Sequence, residues 1–175
     1  MAESRVRRGG WIACSTLELV ALSVWIGGLI VIIGAVIPAV FNSVGMESGG
    51  RLLTRVFDGY NRLTAAAIAI LITAGSWRIW YGVGHEMKVH RLELALLTLM
   101  IAVAALIAVW LGPASVTLQE QAFAASDEAA KKAAYDAFFR THTLVRGLYL
   151  LNLGLGLALL TVKVRGWMQD GKAGA

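Results

Sequence analysis

The chain has 175 residues, 58% of them hydrophobic and 15% charged, with a formal net charge of +5 and one cysteine. Soluble domains are roughly 45–50% apolar and about 25% charged, so this composition belongs to a membrane protein. The single Cys14 excludes an internal disulfide framework and any CxxC metal or redox pair, and the basic residues lie singly beside apolar runs, without the stripe and interleaved aromatics of a nucleic-acid surface.

The opening MAESRVRRGG has the charged character of a signal-peptide start, but the apolar run behind it is too long for a cleaved signal. That run, LVALSVWIGGLIVIIGAVIPAVF at residues 19–41, is the first of four stretches of about 20 apolar residues, the length that crosses roughly 30 Å of hydrocarbon. Its Leu, Ile, Val and Phe residues together favour insertion by about 6 kcal/mol, which Pro38 and three glycines do not offset.

The second span covers 63–81. GGRLLTRVFDGYNRL precedes it, with Leu52, Leu53, Val56, Phe57 and Tyr60 at helical spacing, which predicts a helix from near Arg51, outside the membrane. The third span covers 92–111. After it, Gly112-Pro113 permits a kink and an alanine- and charge-rich segment predicts more helix. Ser126, followed by Asp127 and Glu128, reads as an N-cap with acids in the first turn, so the helix carrying the fourth span, 143–162, begins near 127. From 127 to 162 it is about 54 Å long at 1.5 Å per residue, so part of it stands clear of the bilayer.

The sequence therefore predicts an all-α polytopic membrane protein, one four-span bundle over residues 1–175. A helical hairpin at about 113–142 projects on the non-cytoplasmic side. Trp11, Trp77, Trp80, Tyr81, Trp110 and Trp167 fall at span ends, as interfacial anchors do. Nine basic residues (Arg5, Arg7, Arg8, Arg78, Lys88, Arg91, Lys163, Arg165 and Lys172) flank the spans on the side of the termini, against seven on the other. That margin places both termini in the cytoplasm of a cell with this protein in its inner (plasma) membrane. Close helix packing is expected at small residues four apart: Ser23 and Gly27, Ala65, Ala69 and Thr73, Ala104 and Ala108, Gly154 and Ala158.

Chemistry-bearing residues are few. Glu18, just before the first span, and Arg78, at the same end of the second, are placed to pair. Arg146 lies one turn inside the opposite interface and can snorkel outward. Asn152 is the deepest strongly polar residue of the fourth helix and is expected to act as interhelical hydrogen-bond glue. His85 and His90 fall on the cytoplasmic side and His142 on the other, about 30 Å away, so they are not expected to share a ligand. No GxSxG, phosphate loop, HExxH or paired carboxylate within a span is present, so no catalytic residue and no metal site is assigned.

Three stretches, WIGGLIVIIGAVIPAVF, RVFDGYNRL and FFRTHTLVRGLYLLNL, together resemble the domain of unknown function 4149, the group related to transmembrane protein 205. The positions that carry the resemblance are Trp25, Gly27, Gly28, Pro38, Phe41, Phe57, Phe138 and His142. The resemblance implies a four-span fold and no firm chemistry. More distantly the layout looks like copper-resistance D-like proteins and HemJ-type protoporphyrinogen oxidases, which use histidine and haem.

The leading functional reading is a non-enzymatic protein that meets lipid and a protein partner through its membrane helices or the projecting hairpin, as an accessory or scaffold subunit, with no cofactor. The first alternative is a redox protein handling haem b or copper through His142. The second is a small-solute transporter with a path lined by Asn152, Ser23 and Thr64. The sequence disfavours it, with neither several buried ionisable groups nor helices broken at mid-membrane evident in the spans.

Overall fold

The computed structural model describes residues 2–81 and 91–173. Among these only Gly45 and residues 125–127 are not helical. The chain forms four long rods. The first is α1 (Ala2–Val31), a π-helical turn at Ile32–Val36 and α2 (Ile37–Val44); the second is α3 (Met46–Tyr81). The third is α4 (Arg91–Leu106), a π turn at Ile107–Leu111 and α5 (Gly112–Ala124); the fourth is α6 (Glu128–Ala173). All four are long and apolar enough to cross a membrane. The helix carrying the fourth span has 46 residues, about 69 Å, because it runs on past residue 162.

Both π turns precede a proline by the same distance. Pro38 and Pro113 have no backbone N–H, and each ring would strike the carbonyl four residues back in a regular helix. Widening the preceding turn avoids the clash: the N–H of Ile37 reaches the carbonyl of Ile32, and that of Gly112 reaches Ile107, five residues back in each case. The rods continue through both prolines.

The two bends are part of a larger repetition. A shift of 75 residues (18 to 93) carries Glu18 onto Glu93, Trp25 onto Met100, Ile32 onto Ile107 and Pro38 onto Pro113, and the first three of these pairs are all buried. A shift of 85 (78 to 163) does the same for the second and fourth rods. It superposes the buried Tyr60, Thr64, Ala67, Leu71 and Ala74 on the buried Val145, Tyr149, Asn152, Gly156 and Leu159. In connectivity and in which positions are buried, the two helical hairpins thus match. The repeat lives in which faces are buried, and the residues at equivalent places differ.

Most of the small-residue faces expected at contacts turn outward instead. Ser23, Ala65, Ala69, Thr73, Ala108, Gly154 and Ala158 are exposed on the outside of the bundle, while Gly27 is half-buried and Ala104 packs against the core. Close approaches occur one or two positions away. Gly28 accommodates the ring of Tyr60, to which a Cβ would come within 3.1 Å. Gly156 lies under Ile26, where a Cβ would meet Cγ1 at 2.8 Å. Leu22, Leu29, Leu71, Met100, Ile107 and Leu159, all 2% exposed or less, fill the space between. At the start of α6 the cap is Asp127, whose Oδ2 accepts the N–H of Ala130 at 2.9 Å, so Ser126 is one residue outside the helix end.

Two buried side chains tie the rods of each hairpin at equivalent carbonyls. The Tyr60 hydroxyl donates to the carbonyl of Trp25 at 2.9 Å, and Nδ2 of Asn152 donates to that of Met100 at 3.0 Å.

Replacing Gly156 by Leu is expected to lower the unfolding free energy by about 1–3 kcal/mol through overpacking against Ile26. Gly154→Leu, two residues away on the exposed face, should leave it unchanged. Thermal or detergent unfolding of the purified variants measures both.

Candidate functional site

Glu18, Arg78, Glu93 and Lys163, one from each rod, meet at the end of the bundle nearest the termini. Arg78 Nη1 donates to Glu18 Oε2 at 2.9 Å and to Glu93 Oε1 at 3.2 Å. Lys163 Nζ donates to Glu18 Oε2 at 2.6 Å and also to Glu93 Oε1. Each cation touches both carboxylates and each carboxylate both cations, so the four close a ring of alternating sign and zero net charge.

The ring is buried. The side chains of Glu18 and Lys163 are 1% and 3% exposed, those of Arg78 and Glu93 10% and 11%. A lone buried ion costs several kcal/mol in lost hydration, which is why charge is buried only in compensated sets. Here compensation is complete among four side chains. A pair at 4 Å gains about 4 kcal/mol at an effective dielectric of 20, an amount comparable to the desolvation penalty, so the ring as a whole is near break-even. Its consequence is geometric: each rod must present one defined face to the same point.

Two of these four residues, Glu18 and Arg78, stand out in the sequence as a pair at one end of the bundle. Glu93 and Lys163 do not, because each sits at the edge of an apolar run and reads as an interfacial flank. Two signals point to them. Glu93 is the image of Glu18 under the shift of 75, and Lys163 continues the inward face of α6 through Asn152, Gly156 and Leu159 at helical spacing.

The remaining candidates lie elsewhere. Asn152 is 3% exposed and bonded to Met100, with its Oδ1 buried and without a protein partner among the described residues. Eleven residues along α6 separate it from Lys163, about 16 Å, and Leu22, Leu71 and Leu159 pack that interval. Toward the other end, Tyr149 donates to Oδ1 of Asn61 at 3.3 Å, and its ring lies 5.1 Å from Phe57 and 6.2 Å from Tyr60.

Arg146 is exposed. His142 is half-buried and stacked on Phe138, ring centroids 5.3 Å apart, about 31 Å along α6 from Lys163. His85 and His90 lie outside the described residues, so their separation from His142 is not part of this geometry. Among the described residues no three His, Cys, Asp or Glu side chains gather as metal ligands. Thr64 and Asn152 face inward and Ser23 faces outward, so these three do not line one path. The π turns leave the first and third rods continuous, so of the two features whose absence disfavoured transport only the buried ionisable groups are present, gathered at one end of the bundle.

The family described as a domain of unknown function, DUF4149, matches residues 20–124, more than half of the chain. The match takes in Arg78 and Glu93 and leaves Glu18 and Lys163 outside it. No curated protein and no solved structure matches the chain.

Lys163→Met leaves two carboxylates to one arginine and is expected to destabilise the bundle by about 3–5 kcal/mol. Removing the neutral pair, Glu93→Met with Lys163→Met, should cost less than the single change. Asn152→Leu should cost about 1 kcal/mol. Unfolding free energies in detergent or bicelles give all three, and a double variant worse than Lys163→Met would show that charge compensation is not what holds this end.

Proposed function

The chain belongs to the DUF4149 family, a membership that gives its membrane class and no activity, and on that footing we propose that it is a non-enzymatic accessory or scaffold subunit of the inner (plasma) membrane. It works by contact, with both termini in the cytoplasm. The observation that carries this reading is that the four buried charges are compensated by one another, while small-residue and charged faces are turned to the outside of the bundle. Glu18, Arg78, Glu93 and Lys163 close on themselves, Tyr60 and Asn152 bond to main-chain carbonyls, and leucines fill the interval between. The outside of the bundle shows the small-residue face of Ala65, Ala69 and Thr73, of which the last two line a shallow apolar groove with Cys14, Leu17 and Trp77. A close-packed partner helix suits such a face.

The helices beyond the spans supply a second surface. α6 at about 69 Å is more than twice the roughly 30 Å of hydrocarbon. We assign the end of α2, α5 and the first turns of α3 and α6 to a layer on the non-cytoplasmic side, which includes the segment 113–142. Arg51 bonds to Glu120 at 3.1 Å and its guanidinium lies 5.6 Å from the Phe123 ring centroid, so the two hairpins are tied there as well. A defined layer, with Lys132, Phe139 and Arg140 exposed along α6, suits a protein partner.

Photo-crosslinking groups at Lys132, Arg140 and Ala69 in native membranes are expected to capture one stoichiometric partner. That partner should be lost from the purified complex in Lys132→Glu/Arg140→Glu, while a group at the buried Leu22 captures none. Purification without a stoichiometric partner would remove the reading. A Soret absorption band that vanishes in His142→Ala would replace it with haem handling.

A further inference from the structure

We propose that the charge ring is a latch between two movable halves: releasing its two cross-hairpin links lets the hairpins part at the end that carries the termini, about a pivot where Ile26 crosses Gly156. The proposal is independent of the docking reading above.

The halves are the two equivalent hairpins, both running away from the ring in their first rod and back in their second. Repeats of this kind, related by an axis along the membrane normal, are the bodies that rock against one another in many membrane proteins. Links between them are grouped. At one end are Arg78–Glu93 and Lys163–Glu18; at the other are Arg51–Glu120 and Tyr149–Asn61. Between these groups α1 meets α6 at the glycine under Ile26, among the described residues the tightest glycine approach between rods. α3 and α4 do not pack closely along their length, and Arg78–Glu93 spans their seam. At the place equivalent to Gly156, α3 carries Leu71. One seam is therefore tight at its middle and the other is held by an ion pair.

The ring's connectivity makes opening possible without stranding a charge. Glu18–Arg78 lies within the first hairpin and Glu93–Lys163 within the second. Break the two cross links and each half keeps a neutral, bonded pair. A ring whose only pairs ran between halves would leave four bare ions on opening, and a ring whose only pairs ran within halves would hold nothing together. The buried Nε of Arg78 and Oγ of Ser15, one turn from Glu18, have no protein partner among the described residues, so opening breaks no bond of theirs there.

The test uses the full chain in lipid nanodiscs, Cys14→Ser, with spin labels at Leu17→Cys on α1 and Leu94→Cys on α4, both exposed. One narrow distance is expected. Exchanging charge in one hairpin only, Glu18→Arg with Arg78→Glu, preserves the internal pair and sets like charges across the divide. It should add a second distance longer by several Å. Exchanging charge in both hairpins, with Glu93→Lys and Lys163→Glu added, should restore the single short distance. Labels at Val44→Cys and Ala133→Cys, at the far end, report the fold and should not move apart in either variant. If the one-hairpin exchange does not fold, Glu93→Gln with Lys163→Met, which removes both cross links and leaves each half neutral, is read instead and should lengthen the Leu17–Leu94 distance in the same direction. An unchanged distance in the folded one-hairpin exchange or in Glu93→Gln/Lys163→Met, or a four-residue exchange that folds yet stays open, overturns the latch.

Discussion

Four charges taken out of water together leave few ways for four helices to stand. Lipid gives no hydrophobic drive between helices, since a leucine is as well solvated by acyl chains as by another leucine. What fixes the rotation of each rod must then be polar contact and shape. Glu18, Arg78, Glu93 and Lys163 supply the first, because turning one rod by half a turn would leave the other three charges buried and unbalanced. Once Lys163 points inward, the 3.6-residue period commits Leu159, Gly156 and Asn152 to the same face. Gly154 and Ala158 are committed to the outside by the same rotation.

Shape then completes the arrangement. Gly28 admits the Tyr60 ring and Gly156 admits Ile26; a Cβ would crowd the ring at 3.1 Å and have to displace Ile26 at 2.8 Å. Both π turns keep the first and third rods continuous through Pro38 and Pro113 at matching depths. Because the two bends and the two carboxylates recur at the same spacing, a two-helix unit used twice accounts for the architecture more economically than four helices placed separately.

Hydropathy makes the four spans, the all-helical class and the long fourth helix readable in the chain, because a window of some 20 apolar residues needs no knowledge of neighbours. The same averaging hides the ring. The window over 92–111 takes in Glu93 only at its edge and the one over 143–162 stops just short of Lys163, so both average into the interfacial flank, and helical phase is needed to see that they point at one another. The small-residue pairs mislead for a related reason: many faces of a membrane helix can supply two small residues four apart, and which face is used is settled elsewhere in the bundle. Ser126 and Asp127 are both good caps, and a shift of one residue in the helix start decides between them. The repeat escapes comparison of residue identities because it lies in burial, with Trp25 matched to Met100 and Thr64 to Tyr149.

The ring's near balance of energies bears on what it is for. Buried ion pairs attract strongly and cost nearly as much to dehydrate, so a ring of four adds little to the free energy of folding over an apolar cluster of the same volume. Its effect is on alternatives. Any register that separates one of the four from its partners is penalised by a whole uncompensated charge, while the matched arrangement carries no penalty. An apolar layer such as Leu22, Leu71 and Leu159 cannot discriminate in this way, since leucines slide past one another at small cost. In this bundle the leucines fill space, and the charges decide which space there is to fill.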